Sequence, residues 1–140
     1  SRANAAYECT ARAAEADLAG VWRTLLADSG NDVFSGLSLD RHVFDLAGNW
    51  VLGGALVPSL AAVDAISTDE FGTPLGGFKT VWTGANGIGG PAASQCEDWS
   101  SSAADARGAV GVTGVGAADS RWLAGGEGSC DKGRACHRSK

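Results

Sequence analysis

Four cysteines, Cys9, Cys96, Cys130 and Cys136, set the strongest constraint on what this 140-residue chain can fold into. They form an even set spread from one end to the other, with no C-x-x-C pair and no histidine at metal-ligand spacing. That is the pattern of a disulfide framework, not of a metal site. Two disulfides place the chain in an oxidising compartment, secreted or displayed on a cell surface. Four reduced, buried thiols acting as small core residues are the alternative. Four cysteines permit three pairings, and spacing alone does not choose among them. A nested pair of bridges, one joining the chain ends and one closing a separate long loop, would contribute about 4 to 5 kcal/mol per bridge in the loop-entropy account.

The length is that of one domain with one core, residues 1–140, and neither an internal repeat nor a linker divides it. The formal charge is -5, and the eight arginines and three lysines are scattered, so nucleic acid is a poor partner. The longest apolar segment, WVLGGALVPSLAAVDAI, is broken by two glycines, a proline and an aspartate. It falls short of the roughly 20 apolar residues that a membrane helix needs, so no membrane insertion is expected. The amino end, SRANAAYEC, has neither the charged nor the apolar segment of a signal peptide. Export therefore implies a signal already removed.

Asn4 to Ala16 is dense in alanine, glutamate and arginine, with Ala5, Cys9, Ala13 and Ala16 recurring at helical spacing; one amphipathic helix is expected, ended by Gly20. VWRTLLAD, residues 21–28, alternates in the manner of a strand. HVFDLAGNWVL offers two short β runs around Ala47, Gly48 and Asn49, a hairpin signal. ALVPSLAAVDAI fits a short helix or a buried strand equally well. FKTVWTG is the best strand of the sequence, and Gln95 to Trp99 reads as a short strand or bend. Gly84 to Ala93 is a long turn region, and the glycine-rich stretch from Ser100 to Gly128 reads as short strands and loops pinned through cysteines. Glycine makes up 21 of the 140 residues, which suits a loop-rich extracellular domain.

In order, the chain presents AAYECTARAAEADLAGVWRTLLAD, VDAISTDEFGTPLGG, TVWTGANGIG, QCEDWSS, SRW and a closing CDKGRAC. This ordered set resembles the endostatin-like branch of the C-type-lectin-type fold, as found in bacterial secreted and cell-surface proteins, from about Ala3 to Cys136. The resemblance implies an α+β domain with one main helix, a twisted antiparallel sheet and long loops. It also implies the nested pairing, Cys9 to Cys136 and Cys96 to Cys130. Three departures stand out. The family opens with a strand for which no residues precede Cys9, so a sheet edge is expected to be unpaired or completed by a neighbour. Arg134, Ala135, His137, Arg138 and Lys140 surround Cys136 where the family has bulky apolar residues. No histidine precedes His42, and acids dilute the arginines; the zinc and heparin binding of endostatin is not carried over.

Glu97 and Asp98 could give oxygen ligands to calcium, which takes about six to eight. The Glu-Pro-Asn and Gln-Pro-Asp loops of sugar-binding lectins are absent, so a solvated acidic turn is the default and no cofactor is expected. As strand neighbours the two carboxylates would face opposite sides, which disfavours paired acid and base work. His42 and His137 stand in no ligand motif, Ser100 to Ser102 lack the G-x-S-x-G context, and GANGIGG lacks a lysine and a helix. No enzyme is expected. Trp22, Trp82 and Trp99 sit in core-like contexts, whereas Trp50 and Trp122 are the candidates for exposure and sugar stacking.

These readings combine into a non-catalytic extracellular binding or adhesion module whose loops, about Gly84 to Ala93 and Arg107 to Gly128, present Asn86, Glu97, Asp98, Arg121 and Trp122 to a protein or glycan ligand. The alternative is a structural subunit of a surface filament or sheath, assembled by self-association through an exposed sheet edge.

Overall fold

Alanine, glutamate and arginine favour helix, and RANAAYECTARAAE folds as α1, Arg2–Glu15. The Ser1 side chain accepts from the Asn4 amide at its start. The helix does not run to Gly20. Asp17 takes a left-handed φ of 54°, and the amides of Leu18 and Asp17 return to the carbonyls of Ala13 and Ala14 at 2.9 and 3.1 Å. This Schellman arrangement stops the helix without a glycine. The computed structural model describes residues 1–37, 41–53, 66–115 and 119–131. The mixed stretch ALVPSLAAVDAI, apart from Ile66, and the Cys136 end of the expected Cys9 bridge lie outside these residues, as does His137.

The expected strand at residues 21–28 does not form a ladder. Leu26 and Ala27 are both buried, although a strand would turn successive residues to opposite faces, and the backbone is served singly: the Ala27 amide donates to Thr83 O at 2.7 Å, and Ala27 O accepts from the Trp99 indole at 2.8 Å. A half-apolar extended run needs a partner edge to become a strand, and here one indole takes that place.

The hairpin forms where expected. β1, His42–Phe44, pairs antiparallel with β2, Trp50–Gly53, with a register irregularity between Val43 and Phe44. Asp45 closes the turn by accepting from the Asn49 amide at 2.8 Å, while Gly48 takes a φ of 86°. The second sheet is antiparallel in the order β3 (Thr80–Trp82), β4 (Arg107–Val112), β5 (Gly126–Ser129). The architecture is thus mixed helix and sheet, with two small antiparallel sheets and a disulfide between Cys96 and Cys130. No helix among the described residues is long and apolar enough to cross a membrane.

RGAVGV was expected within a recognition loop; it is the central strand, buried from Gly108 to Gly111. Its glycines are there for close approach. A Cβ on Gly108 would lie 2.7 Å from Cys96 Sγ and 2.8 Å from the Trp82 ring, and one on Gly111 would lie 1.9 Å from Trp122 O. On β5, Gly128 similarly faces the Trp82 ring at 2.8 Å. One indole therefore covers two glycines on adjacent strands, replacing the side chains they lack.

The core gathers Ala27, Val33, Phe34, Ala85, Val115, Trp122 and Leu123. Trp122, expected at the surface, is only 7% exposed and sits 6.0 Å from the Phe34 ring. Its glycine-rich neighbourhood belongs to a three-residue 3-10 turn, Ser120–Trp122, that turns the indole inward. Buried Thr83 donates to Leu123 O at 2.5 Å and so joins the core to the sheet.

An alanine at Gly111 is expected to lower stability by more than about 2 kcal/mol through overpacking. At Gly48, φ is 86° and nothing lies within 4 Å of an added Cβ, so alanine there should cost about 1 kcal/mol from the backbone alone. Urea unfolding of the two variants checks this; equal losses would contradict the packing account.

Candidate functional site

Cys96, Glu97, Asp98 and Trp99 have φ values of 51°, 52°, 54° and 63°, one turn of left-handed helix in place of the expected strand or bend. Each L-residue held so costs about 1–2 kcal/mol, and the turn persists because its surroundings over-determine it. Internally, the amides of Trp99 and Ser101 donate to the carbonyls of Gln95 and Cys96 at 2.8 and 2.9 Å. Externally, Cys96 is bonded to Cys130. The Trp99 ring meets Trp82 edge to face at 5.8 Å, and its N–H reaches Ala27 O. The Asp98 carboxylate accepts from the Ser29 amide at 2.8 Å and from the Ser29 hydroxyl at 2.7 Å.

Glu97 and Asp98 are consequently separated in role. Asp98 clamps the loop at Ser29, and Glu97 stays in solvent while its carbonyl accepts from the Ser100 hydroxyl. Asn86 is a turn-builder: its Oδ1 accepts from the amides of Ile88 and Gly90 at 3.0 and 3.1 Å. Arg121 is exposed, but its guanidinium is forked onto Asp119, with Nε at 2.9 Å and a terminal nitrogen at 2.6 Å from Oδ2. That pair lowers the pKa of Asp119 and raises that of Arg121, in each case chiefly through the side-chain hydrogen bond. The structure brings the Asn86 loop beside the Arg121 turn, since a Cβ on Gly87 would lie 3.5 Å from that of Ser120. Trp122 points away from both, into the core.

A different surface gathers aromatic rings. In β1, Val43 turns inward to the core while His42 and Phe44 face outward, and in β2 buried Val51 leaves Trp50 on the outer side. The His42 ring stands edge-on to Trp50 at 4.5 Å and lies 6.2 Å from Phe44. Phe44 is 58% exposed. Trp50 was expected on the surface. The alternation His-Val-Phe and Trp-Val across a Gly48 turn is the sequence signal that places His42 and Phe44 beside it. Asp45, at the turn beside this face, is held below its ordinary pKa of 3.8, chiefly by the Asn49 side-chain amide and then by its backbone N–H.

Chemically, flat rings side by side on a two-stranded face suit stacking. The carboxylates with lowered pKa, Asp28, Asp45 and Asp119, owe it first to Asn31, Asn49 and Arg121, neighbours within their own turns. Among the described residues no group of three or more His, Cys, Asp or Glu side chains is placed to hold a metal.

Replacing Asp98 with alanine is expected to cost about 1 kcal/mol through the loss of two hydrogen bonds from Ser29 to its carboxylate. The same change at Glu97 should stay within about 0.5 kcal/mol. Thermal unfolding separates the two, and similar losses would contradict the clamp. For Asp45, a depressed folded pKa means stability that is present above the unfolded value, near 3.9, and lost as pH falls through the folded one. The Asn49 amide resonance should therefore titrate with a midpoint below the ordinary 3.8, and Asp45→Asn should abolish the transition. Comparison with family models, curated proteins and solved structures returns no match for this chain.

Proposed function

We propose that this chain is a non-catalytic extracellular binding module of C-type-lectin-like architecture, and that its recognition surface is the outer face of the β1–β2 hairpin. The observation that carries the reading is the cluster of His42, Phe44 and Trp50, three rings on the outer face of a two-stranded sheet, the first two exposed and Trp50 half-buried. Such rings offer apolar faces to the C–H faces of a pyranose and a polar N–H at the edge, the chemistry of glycan stacking. The Cys96 to Cys130 bridge supports an oxidising compartment. The helix preceding an antiparallel sheet and the bridge between the second and third of the four cysteines support the lectin-like reading.

The test is binding of the monomeric protein to a glycan array, followed by calorimetry on the best ligand. Phe44→Ala and His42→Ala are expected to weaken binding tenfold or more, about 1.4 kcal/mol, without unfolding the protein, because both side chains are exposed. Unchanged affinity in the double variant would move recognition elsewhere.

A second reading, self-assembly, rests on β5, which has β4 on one side and no further strand among the described residues. Concentration-dependent sedimentation that vanishes when proline replaces Glu127 would favour it; a monomer at all concentrations would remove it.

A further inference from the structure

A cavity of about 1040 Å³ lies between one face of α1, the 23–26 segment and β3, with Val112 of β4 and Cys130 also lining it, at about the upper limit of the range typical of small-molecule sites. Its apolar wall is built around Trp82, Trp99, Trp122, Phe78, Val112 and Leu25. Three charged side chains reach the same wall: Glu8 from α1, Arg23 from the segment that failed to become a strand, and Lys79 from the approach to β3. In a chain of formal charge -5, this wall carries two cations against one carboxylate. Neither cation is in an ion pair among the described residues, where the pairs are Arg12 with Glu15 and Arg121 with Asp119. Arg23 and Glu8 are exposed, Lys79, Trp82 and Trp99 are half-buried and Trp122 is buried, so the charged side chains lie on the more open side of the cavity and the Trp122 indole at its deep end.

We propose that this cavity binds an anionic amphiphile, an unbranched carboxylate whose tail lies among the three indoles and whose head is held by Arg23 and Lys79. An apolar body with one charged end matches an apolar chamber with a cationic opening, and the desolvation of the tail supplies the affinity while the opening fixes orientation. The site is separate from the aromatic face of the hairpin, since none of His42, Phe44 or Trp50 lines it.

The experiment is a tryptophan-fluorescence titration, confirmed by calorimetry, with dodecanoate, dodecanol and dodecyltrimethylammonium, each below its micelle concentration. Dodecanoate is expected to give a saturable one-to-one change, with dodecanol at least tenfold weaker and the ammonium weaker still. Arg23→Gln with Lys79→Gln, checked for native circular dichroism, should bring dodecanoate down to the level of dodecanol. Ala5→Trp, which fills the chamber from the α1 wall, should abolish binding of all three, while Phe44→Ala should leave dodecanoate binding unchanged. Equal affinity for the three probes, no saturable change with any of them, or full dodecanoate binding by the Arg23 and Lys79 double variant would overturn the proposal.

Discussion

The bond between Cys96 and Cys130 is where the described structure is held together. Cys130 follows β5 and Cys96 opens the left-handed turn, so the bridge pins four unfavourable backbone conformations against the end of a sheet. Closing a 34-residue separation contributes about 4 kcal/mol in the loop-entropy account, of the same order as the left-handed cost it offsets. From the turn, the Trp99 indole reaches Ala27 O, and the Ala27 amide reaches Thr83 O at the end of β3. A single covalent link thus organises strand, turn and the amino-terminal segment through one chain of hydrogen bonds.

Trp82 completes that frame. Its ring lies over Gly108 and Gly128, contacts Trp99 edge-on, and forms part of the cavity wall. The sheet is built around one large side chain and the glycines that make room for it. That division of labour leaves the two faces of the molecule with different chemistry. The hairpin carries its rings outward on a surface separate from the sheet, while α1, the 23–26 segment and β3 border an apolar cavity that Arg23, Lys79 and Glu8 also line.

Turn chemistry repeats around this frame. Asp45 to Asn49, Asp69 to Thr73 and Asn86 to Gly90 share one construction: the first amide donates to the fifth carbonyl, and the side-chain oxygen of the first residue accepts from the fifth amide, with a left-handed glycine at the fourth position. Each raises an apolar residue into solvent, Leu46, Phe71 and Ile88 respectively. The pattern Asp or Asn, two residues, then Gly occurs five times, at Asp17, Asp45, Asp69, Asn86 and Asp105, and three of these close the turn, so the local pattern proposes the turn and the surrounding chain decides it.

Locality separates what the sequence by itself determined from what tertiary structure decided. Helix α1, the hairpin about Gly48 and the strand at Trp82 follow from propensity, period and turn residues, all of which act over a few positions. A pairing of Cys96 with Cys130 is in place as the family resemblance implied. The identity of RGAVGV as a central strand, the inward turn of Trp122, the left-handed conformation of Glu97 and Asp98, and the failure of residues 21–28 to find a ladder were decided by distant partners. Glycine in a strand and glycine in a loop have the same composition; the difference is an indole brought over the backbone by residues far away in the chain, and such contacts exist only once the fold has formed.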